Sequence, residues 1–346
     1  MAGHSHFSPA NVEEHFDFTS EGKKRIIYAF IAGVVALVIG IYLLSKGEAG
    51  GHEVAAAGHE AAKAGHEAAA EHLSGGAVSH QPEAEEHYNW MNRVWANVWL
   101  NAVFFTGIAV VGMFFVSLQY LTKSGWSSVM KRVPEAFPKF LYISLPILIL
   151  TFFFKGDVIF HWMHHGVTEV GSANYDKIIA GKSGYLNKNF FLIRLVVFGG
   201  LWILLWNMLR KKSLEEDLNG GTEYFTQLVK IGTAFIVIFG ASSSIFAWDW
   251  VMSIDTHWFS TMFGWYMFSS WHVTTYAVIV LTILFLKDKG LMGYVNENHL
   301  HDLGKFMFAF SIFWTYLWFS QYMLIWYANI PEETVYFKHR VQGPYK

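Results

Sequence analysis

The sequence predicts an all-α, polytopic membrane protein built from helical bundles, with at least seven transmembrane helices. Hydrophobic residues make up 53% of the 346 residues and charged residues only 15%, against about 25% charged in an ordinary soluble domain. The apolar residues are gathered into runs close to or above the roughly 20 residues that cross a bilayer, with short polar links between them. Tryptophans and basic residues mark the ends of those runs, as at Trp90, Trp95 and Trp99 before one and Arg210-Lys211-Lys212 after another. Amphipathic rings and cations anchor helices at a membrane interface in this way. The formal net charge is −2 and there is no cysteine. That composition excludes a polyanion-binding surface, and with it nucleic acid as a partner. It equally excludes disulfides, CxxCH haem attachment, iron–sulfur ligation and thiol chemistry in this chain.

Residues 1–25 form a polar segment ending in Lys23-Lys24-Arg25, and residues 26–44 (Ile26 to Leu44) form the first span. A cleaved signal peptide is the competing reading. Its leader would be unusually long and acidic, and the run exceeds a signal core of about 7–15 residues, so an uncleaved helix is expected. Residues 45–89 form an exposed His/Ala-rich loop, in which GHEVAAA GHEAAKA GHEAAAE sets His52, His59 and His66 seven apart. Seven residues return a helix to nearly one face. A metal-collecting stripe and a solvated spacer are the two readings; nothing closes a coordination shell, which favours the spacer.

Residues 90–346 are the helical membrane domain. The second helix is expected from about Asn97 to Leu121, followed by an amphipathic interfacial helix over Trp126–Phe137. The third starts near Phe140, tolerates Pro146 and ends in FFFKGDVIFHWMHHG. There Asp157, His161 and His165 follow an i, i+4, i+8 spacing and would share a face, with His164 adjacent. A metal site, the mouth of a proton path, and a helix end wetted by headgroups are the three readings of that cluster. The fourth helix, Phe190–Leu209, carries Arg194 and is expected to stop at Arg210-Lys211-Lys212, with Ser213 and Glu216 capping a separate short helix. In the fifth, Leu228–Trp248, Gly240 and Ser244 would admit a close neighbour. The seventh, Gly304–Ile330, puts Ser311, Thr315, Trp318, Tyr322 and Asn329 on one face, with Gln321 beside it.

The rest is organised around Ser242–Tyr276, SSSIFAWDWVMSIDTHWFSTMFGWYMFSSWHVTTY, which inserts two acids and two histidines into membrane-grade sequence. Ionisable groups at such depth are costly and mark relays or ligand sites. Asp249, Asp255 and His257 are expected in the link before the sixth helix. His272 lies in the apolar run Phe259–Leu286, roughly 20 Å from its start and close to the bilayer midplane. Trp265, Ser269, His272 and Tyr276 fall on one stripe, expected to face protein together with the polar face of the seventh helix. A buried histidine of this kind either passes protons or ties helices together.

Two strings, FAWDWVMSIDTHWFSTMFGWYMF and WYANIPEETVYF, together with the His/Ala-rich loop, resemble the ActF-type membrane subunits of bacterial alternative complex III, in the polysulfide-reductase-like membrane subunit family. The resemblance covers most of the chain after Glu85. It implies two four-helix bundles with flanking helices, and a subunit of a quinol:cytochrome c oxidoreductase that acts as scaffold and proton path beside a quinol-oxidising sister subunit of the same type. It further implies a multihaem cytochrome c, an iron–sulfur protein and a monohaem cytochrome c as partners, a terminal oxidase as a further neighbour, and haem c and iron–sulfur clusters in those partners rather than here. The family has more spans than the seven read here, so the chain is expected to be incomplete at its C-terminus. On this reading Asp157, His161, Asp249, Asp255, His257, His272 and Tyr276 are polar stations of the path, and no residue is catalytic or metal-binding.

Basic residues set the expected orientation. A cytoplasmic N-terminus in a bacterial inner membrane puts Lys123, Lys131, Arg132 and Arg210-Lys211-Lys212 inside, and the His-rich loop in the periplasm. A secondary or ion-translocating transporter is the alternative, although no inverted repeat or matched helix break is visible. A b-type cytochrome would need paired deep histidines, and only His272 lies deep.

Overall fold

The computed structural model describes residues 90–342 apart from Gly221, together with Lys24, Arg25, Ile27, Tyr28, Ile31, Ala32, Val35 and Ile39, which are helical. Most of the first expected span, and the loop with His52, His59 and His66, lie outside the described residues. The chain divides into two units, Met1–Arg93 and Val94–Lys346, and the described core belongs to the second.

Among the described residues every regular element is helical: α1 Trp90–Leu121, α2 Arg132–Ala136, α3 Leu141–Ile159, α4 Lys177–Lys182, α5 Lys188–Asn219, α6 Thr222–Trp250, α7 Phe263–Asp288, α8 Glu297–Ala328 and α9 Pro331–Gln342. Five stretches are long and apolar enough to cross a membrane: Met91–Leu121, Arg132–Ile159, Lys188–Asn219, Thr222–Ile254 and Phe263–Asp288. This is the architecture of a multi-pass membrane protein. Seven spans were expected. The first falls largely outside the described residues. The seventh exists as α8, a 32-residue helix, but Asn298, His299, His301, Asp302, Lys305, Ser311, Thr315 and Gln321 dilute its apolar character.

In α1, 72% of the most apolar window is buried, against 33–39% in the other four spans. That asymmetry makes α1 the central helix. Small residues permit the contact: a Cβ on Gly107 would fall 2.2 Å from the Trp271 ring of α7, and one on Gly232 of α6 would press on Ser117 at 3.3 Å. Consecutive long helices α5/α6, α6/α7 and α7/α8 pack as neighbours, and α3 packs on α5. With alternating directions, the start of α5, the end of α6 and the start of α7 share one end of the bundle, here the Arg194 end. The end of α1, the region of α2, the end of α5 and the start of α6 form the opposite, Lys131 end.

Several local expectations change. The helix read over Trp126–Phe137 is a series of turns, then α2 and a 3-10 turn Phe137–Phe140. The fourth helix does not stop at Arg210-Lys211-Lys212. It runs on to Asn219 and ends at Gly220, whose φ of 64° suits a residue without a Cβ. Ser213 is therefore no N-cap; it lies mid-helix and is buried, with its Oγ and carbonyl both accepting from the Arg132 guanidinium at 2.9 Å. Of the Gly240 and Ser244 pair, Ser244 meets Gly264 of α7 closely, whereas nothing approaches Gly240.

The expected polar face of α8 points outward. Thr315, Trp318 and Asn329 are exposed, and the Ser311 and Thr315 hydroxyls donate back to carbonyls four residues earlier. Such back-bonding satisfies a hydroxyl without a neighbouring helix. α8 instead buries Leu303, Leu317, Gln321 and Ile325.

Candidate functional site

Asn187 caps α5 by accepting from the Phe190 amide at 2.9 Å, which sets the helix so that Arg194 points into the bundle. Asp249 lies inside the last turns of α6, buried, rather than in the link after it. The two meet as a fork: Arg194 Nε donates to Asp249 Oδ2 at 2.6 Å and Nη2 to Oδ1 at 3.0 Å. Nη1 donates to the Tyr185 carbonyl at 3.2 Å, and the guanidinium carbon lies 4.0 Å from the Tyr185 ring centre and 4.3 Å from that of Phe190. The side chains are only 6% and 1% exposed. Each charge is therefore affordable in the membrane only because of the other.

The carbonyls at the end of α6 need partners, as at any helix C-terminus. Ser253 Oγ donates to the Asp249 carbonyl at 2.6 Å and Trp99 Nε1 to the Trp250 carbonyl at 2.9 Å. Trp162 Nε1, from the 3-10 turn His161–Met163, donates to Ser253 Oγ at 3.4 Å. Side chains from α1 and from the α3–α4 loop thus lock the Asp249 turn.

Beside the pair lies a cavity of about 400 Å³ whose lining includes Lys182, Tyr185, Trp248, Asp255, Trp258 and Phe259. Lys182 Nζ donates to the Thr256 carbonyl at 2.5 Å. Burial pushes the Lys182 ammonium below its ordinary value, more strongly than Asp255 and Asp176 pull it up. Burial, with the Asp249 carboxylate, raises the Tyr185 phenol. The Trp248 and Trp258 indole N–H groups have no partner among the described residues.

The titratable residues outside this cavity gather loosely. Asp176 caps α4, accepting from the Ile178 and Ile179 amides, and also accepts from His257 Nε2 at 2.6 Å. The His161 ring lies 6.4 Å from that of His257 and 4.9 Å from that of His164. Burial raises the Asp176 carboxyl, but the Ile179 amide, His257 and the Ile178 amide outweigh it and hold the group below the ordinary carboxylate range. The expected Asp157–His161–His165 face does not form. α3 is broken at Lys155 (φ −140°) and ends at Ile159, and Phe160 is extended. His164 instead donates through Nε2 to the Asp157 carbonyl at 2.8 Å. Among the described residues no three of His, Cys, Asp or Glu are grouped so as to hold a metal ion.

His272 and Tyr276 are fully buried in α7, as is Ser269, whereas Trp265 of the same expected stripe is 56% exposed. His272 Nδ1 donates to the Phe268 carbonyl at 2.7 Å. Its ring stacks on Phe310 at 4.6 Å and 14°, packs on Phe268 at 4.0 Å, and meets Phe114 edge-on at 5.0 Å. The Tyr276 ring is 5.9 Å away. Nε2 has no partner among the described residues. The structure thus brings Asp249, Asp255, His257 and His161 to one end and leaves His272 with Tyr276 in a separate aromatic shell.

Arg194, Asp176, Lys182 and Tyr185 were missed as site residues. Arg194 had a usable signal, since an arginine in one apolar run and an aspartate in another each need an opposite charge. Asp176 and Lys182 sit in an ordinary-looking polar loop and had none. No protein-family model matches the chain, and no curated protein sequence is recognisably similar to it.

Proposed function

We propose that the chain is an integral subunit of a respiratory quinol:cytochrome c oxidoreductase complex of the alternative complex III type, a scaffold that also carries protons at its Arg194 end. One observation supports this reading above others: the two strings that carry the resemblance pack on each other. Trp258 of the first stacks on Tyr336 of the second at 3.6 Å and 6°, and the Arg340 guanidinium carbon lies 3.5 Å from the Tyr336 ring centre. Strings so far apart in sequence have a common reason to be unusual when they build one surface.

On this proposal the chain lies in a bacterial inner membrane with a cytoplasmic N-terminus, and the Arg194 end faces the periplasm. Asp249, Asp255, His257, His161 and Asp157 are the stations nearest that surface. His272 and Tyr276, enclosed by phenylalanines, contribute packing. Quinol is oxidised in a sister subunit of the same family. The multihaem cytochrome c, iron–sulfur protein and monohaem cytochrome c hold the haem c and iron–sulfur clusters, and a terminal oxidase accepts the electrons.

Mild-detergent purification of the tagged full chain tests this directly. The expected result is co-purification of c-type haem, seen in the optical spectrum, with quinol-dependent cytochrome c reduction. A chain that purifies alone, without haem and without that activity, overturns the proposal. For orientation, cysteines at Ala57 and at Ser128, which is exposed, should label from opposite sides of sealed membranes.

A secondary transporter is the second reading, supported by a buried ion pair beside a cavity in a membrane protein. It requires solute or ion flux in vesicles containing this chain alone.

A further inference from the structure

Lys139 stands at the entry to a span, in the turn before α3. It belongs to the stretch Arg132–Ile159, which is long and apolar enough to cross a membrane, seven residues in from Arg132. It is exposed, and among the described residues its ammonium meets no carboxylate, carbonyl or aromatic face. Three basic residues of this end, Lys131, Arg132 and Arg210, each meet a carboxylate, whereas Lys123 and Lys211, like Lys139, meet none among the described residues. An ammonium at the edge of a membrane span needs a counter-charge or water within reach of its stem.

Lys139 stands at the rim of a groove of about 630 Å³ between α1 and the segment leading into α3. Phe105, Ile108, Ala109, Phe137, Phe140 and Ile143 line it. The volume is within the roughly 300–1,000 Å³ that encloses a small-molecule-sized occupant. Tyr142 also lines it, three residues after Lys139 and so on the same side of the turn. Asn207 Nδ2 donates to the Tyr142 hydroxyl oxygen at 2.6 Å. That bond occupies an acceptor lone pair, so the phenol proton stays available as a donor. An apolar channel whose described lining holds a lysine and a tyrosine but no carboxylate is complementary to an acyl chain that ends in an anionic oxygen.

We propose that this groove holds one anionic phospholipid, its acyl chain along Phe105, Ile108 and Ile143 and its phosphate on the Lys139 ammonium and the Tyr142 hydroxyl. The inference is independent of the respiratory reading and needs only that the chain lies in a membrane. A juxtamembrane lysine contributes about 1 kcal/mol to anionic-lipid attraction, equivalent to about a fivefold change in occupancy at limiting lipid.

Native mass spectrometry of the full chain, purified and re-equilibrated with either phosphatidylglycerol or phosphatidylcholine, is the test. One retained phosphatidylglycerol per chain is expected, in preference to phosphatidylcholine. Lys139→Gln should lower phosphatidylglycerol retention about fivefold and leave phosphatidylcholine unchanged, and Tyr142→Phe should have a smaller effect in the same direction. Ala136→Phe fills the groove from an exposed position without touching the cation, and should lower retention of both lipids; it keeps the proposal testable should Lys139→Gln fail to assemble. Equal retention of the two lipids by parent and Lys139→Gln would mean an unspecific lipid-facing groove. Displacement of the lipid by glycerol phosphate, with no effect of Ala136→Phe, would mean a site for free phosphate. Either result overturns the proposal.

Discussion

The two ends of the helical bundle handle charge in different ways. At the Arg194 end a single arginine and a single aspartate, both almost wholly buried, saturate each other through two parallel hydrogen bonds. At the Lys131 end the load is shared. Lys131 reaches Glu216 at 3.0 Å and Asp217 at 3.5 Å, Arg132 reaches Glu135 at 2.6 Å and also Asp217, and Arg210 reaches Glu135 at 3.0 Å. Apart from Glu135, which is buried, those side chains are partly exposed, from 19% to 48%. A closed pair is brittle, because loss of either partner strands a charge in a low-dielectric interior. A wetted network redistributes, because each remaining charge keeps a second partner or water.

The largest expected effect tests the brittle end. Arg194→Met should destabilise the chain by about 3–5 kcal/mol by stranding Asp249, and adding Asp249→Leu should recover most of that loss. Thermal unfolding in detergent measures both. A single variant as stable as the parent, or a double variant no better than the single, would show that the pair does not hold this end together.

Next comes the one carboxylate of the network that is out of water. Glu135→Gln should cost about 1–3 kcal/mol, since it removes the charge shared by Arg132 and Arg210 inside the bundle. Lys131→Met, at the wetted edge, should cost about 0–1 kcal/mol. If the two substitutions prove equal in the same unfolding assay, burial is not what separates the two ends.

A smaller effect is expected between the ends, at His272. His272→Phe should shift stability by less than about 1.5 kcal/mol and, in the complex proposed above, leave the pH profile of turnover unchanged, because the ring already sits among Phe114, Phe268 and Phe310. His272→Gln should be worse, about 1–3 kcal/mol, for it puts an amide into that shell. A shifted pH profile in an assembled Phe variant would make His272 part of the proposed proton path.

The smallest effect concerns the rim of the Arg194 end. The Asp176 carboxyl is held below its ordinary range in the fold, so its stabilising contribution is complete above about pH 5 and is lost as the pH falls through the lowered folded value. Asp176→Asn should therefore flatten the acid side of the stability profile between about pH 5 and pH 3. A profile identical to that of the parent would remove Asp176 and His257 from any coupled unit.

Much of this protein could be read from residue order alone. Run length and composition specify α1, α3, α5, α6 and α7 as membrane-grade helices, because a chain surrounded by lipid must satisfy its backbone internally and helices do so locally. The burial of Ser269, His272 and Tyr276 was equally legible, since helical spacing puts them on one face. Spacing failed where it presumed an unbroken helix, as at Asp157, His161 and His165, because α3 breaks at Lys155 and Phe160 is extended, where Met163 lies close against Gly156.

What only the tertiary structure decided is which residues meet. The direction in which α8 presents its Ser311 and Thr315 hydroxyls depends on the neighbour it packs against, and a hydroxyl can always bond its own helix instead. The pairing of Arg194 with Asp249 and the capture of His257 by Asp176 join positions far apart in the chain, and periodicity within one segment carries no information about its partner. Local physics therefore determined the helices, and their packing chose the site.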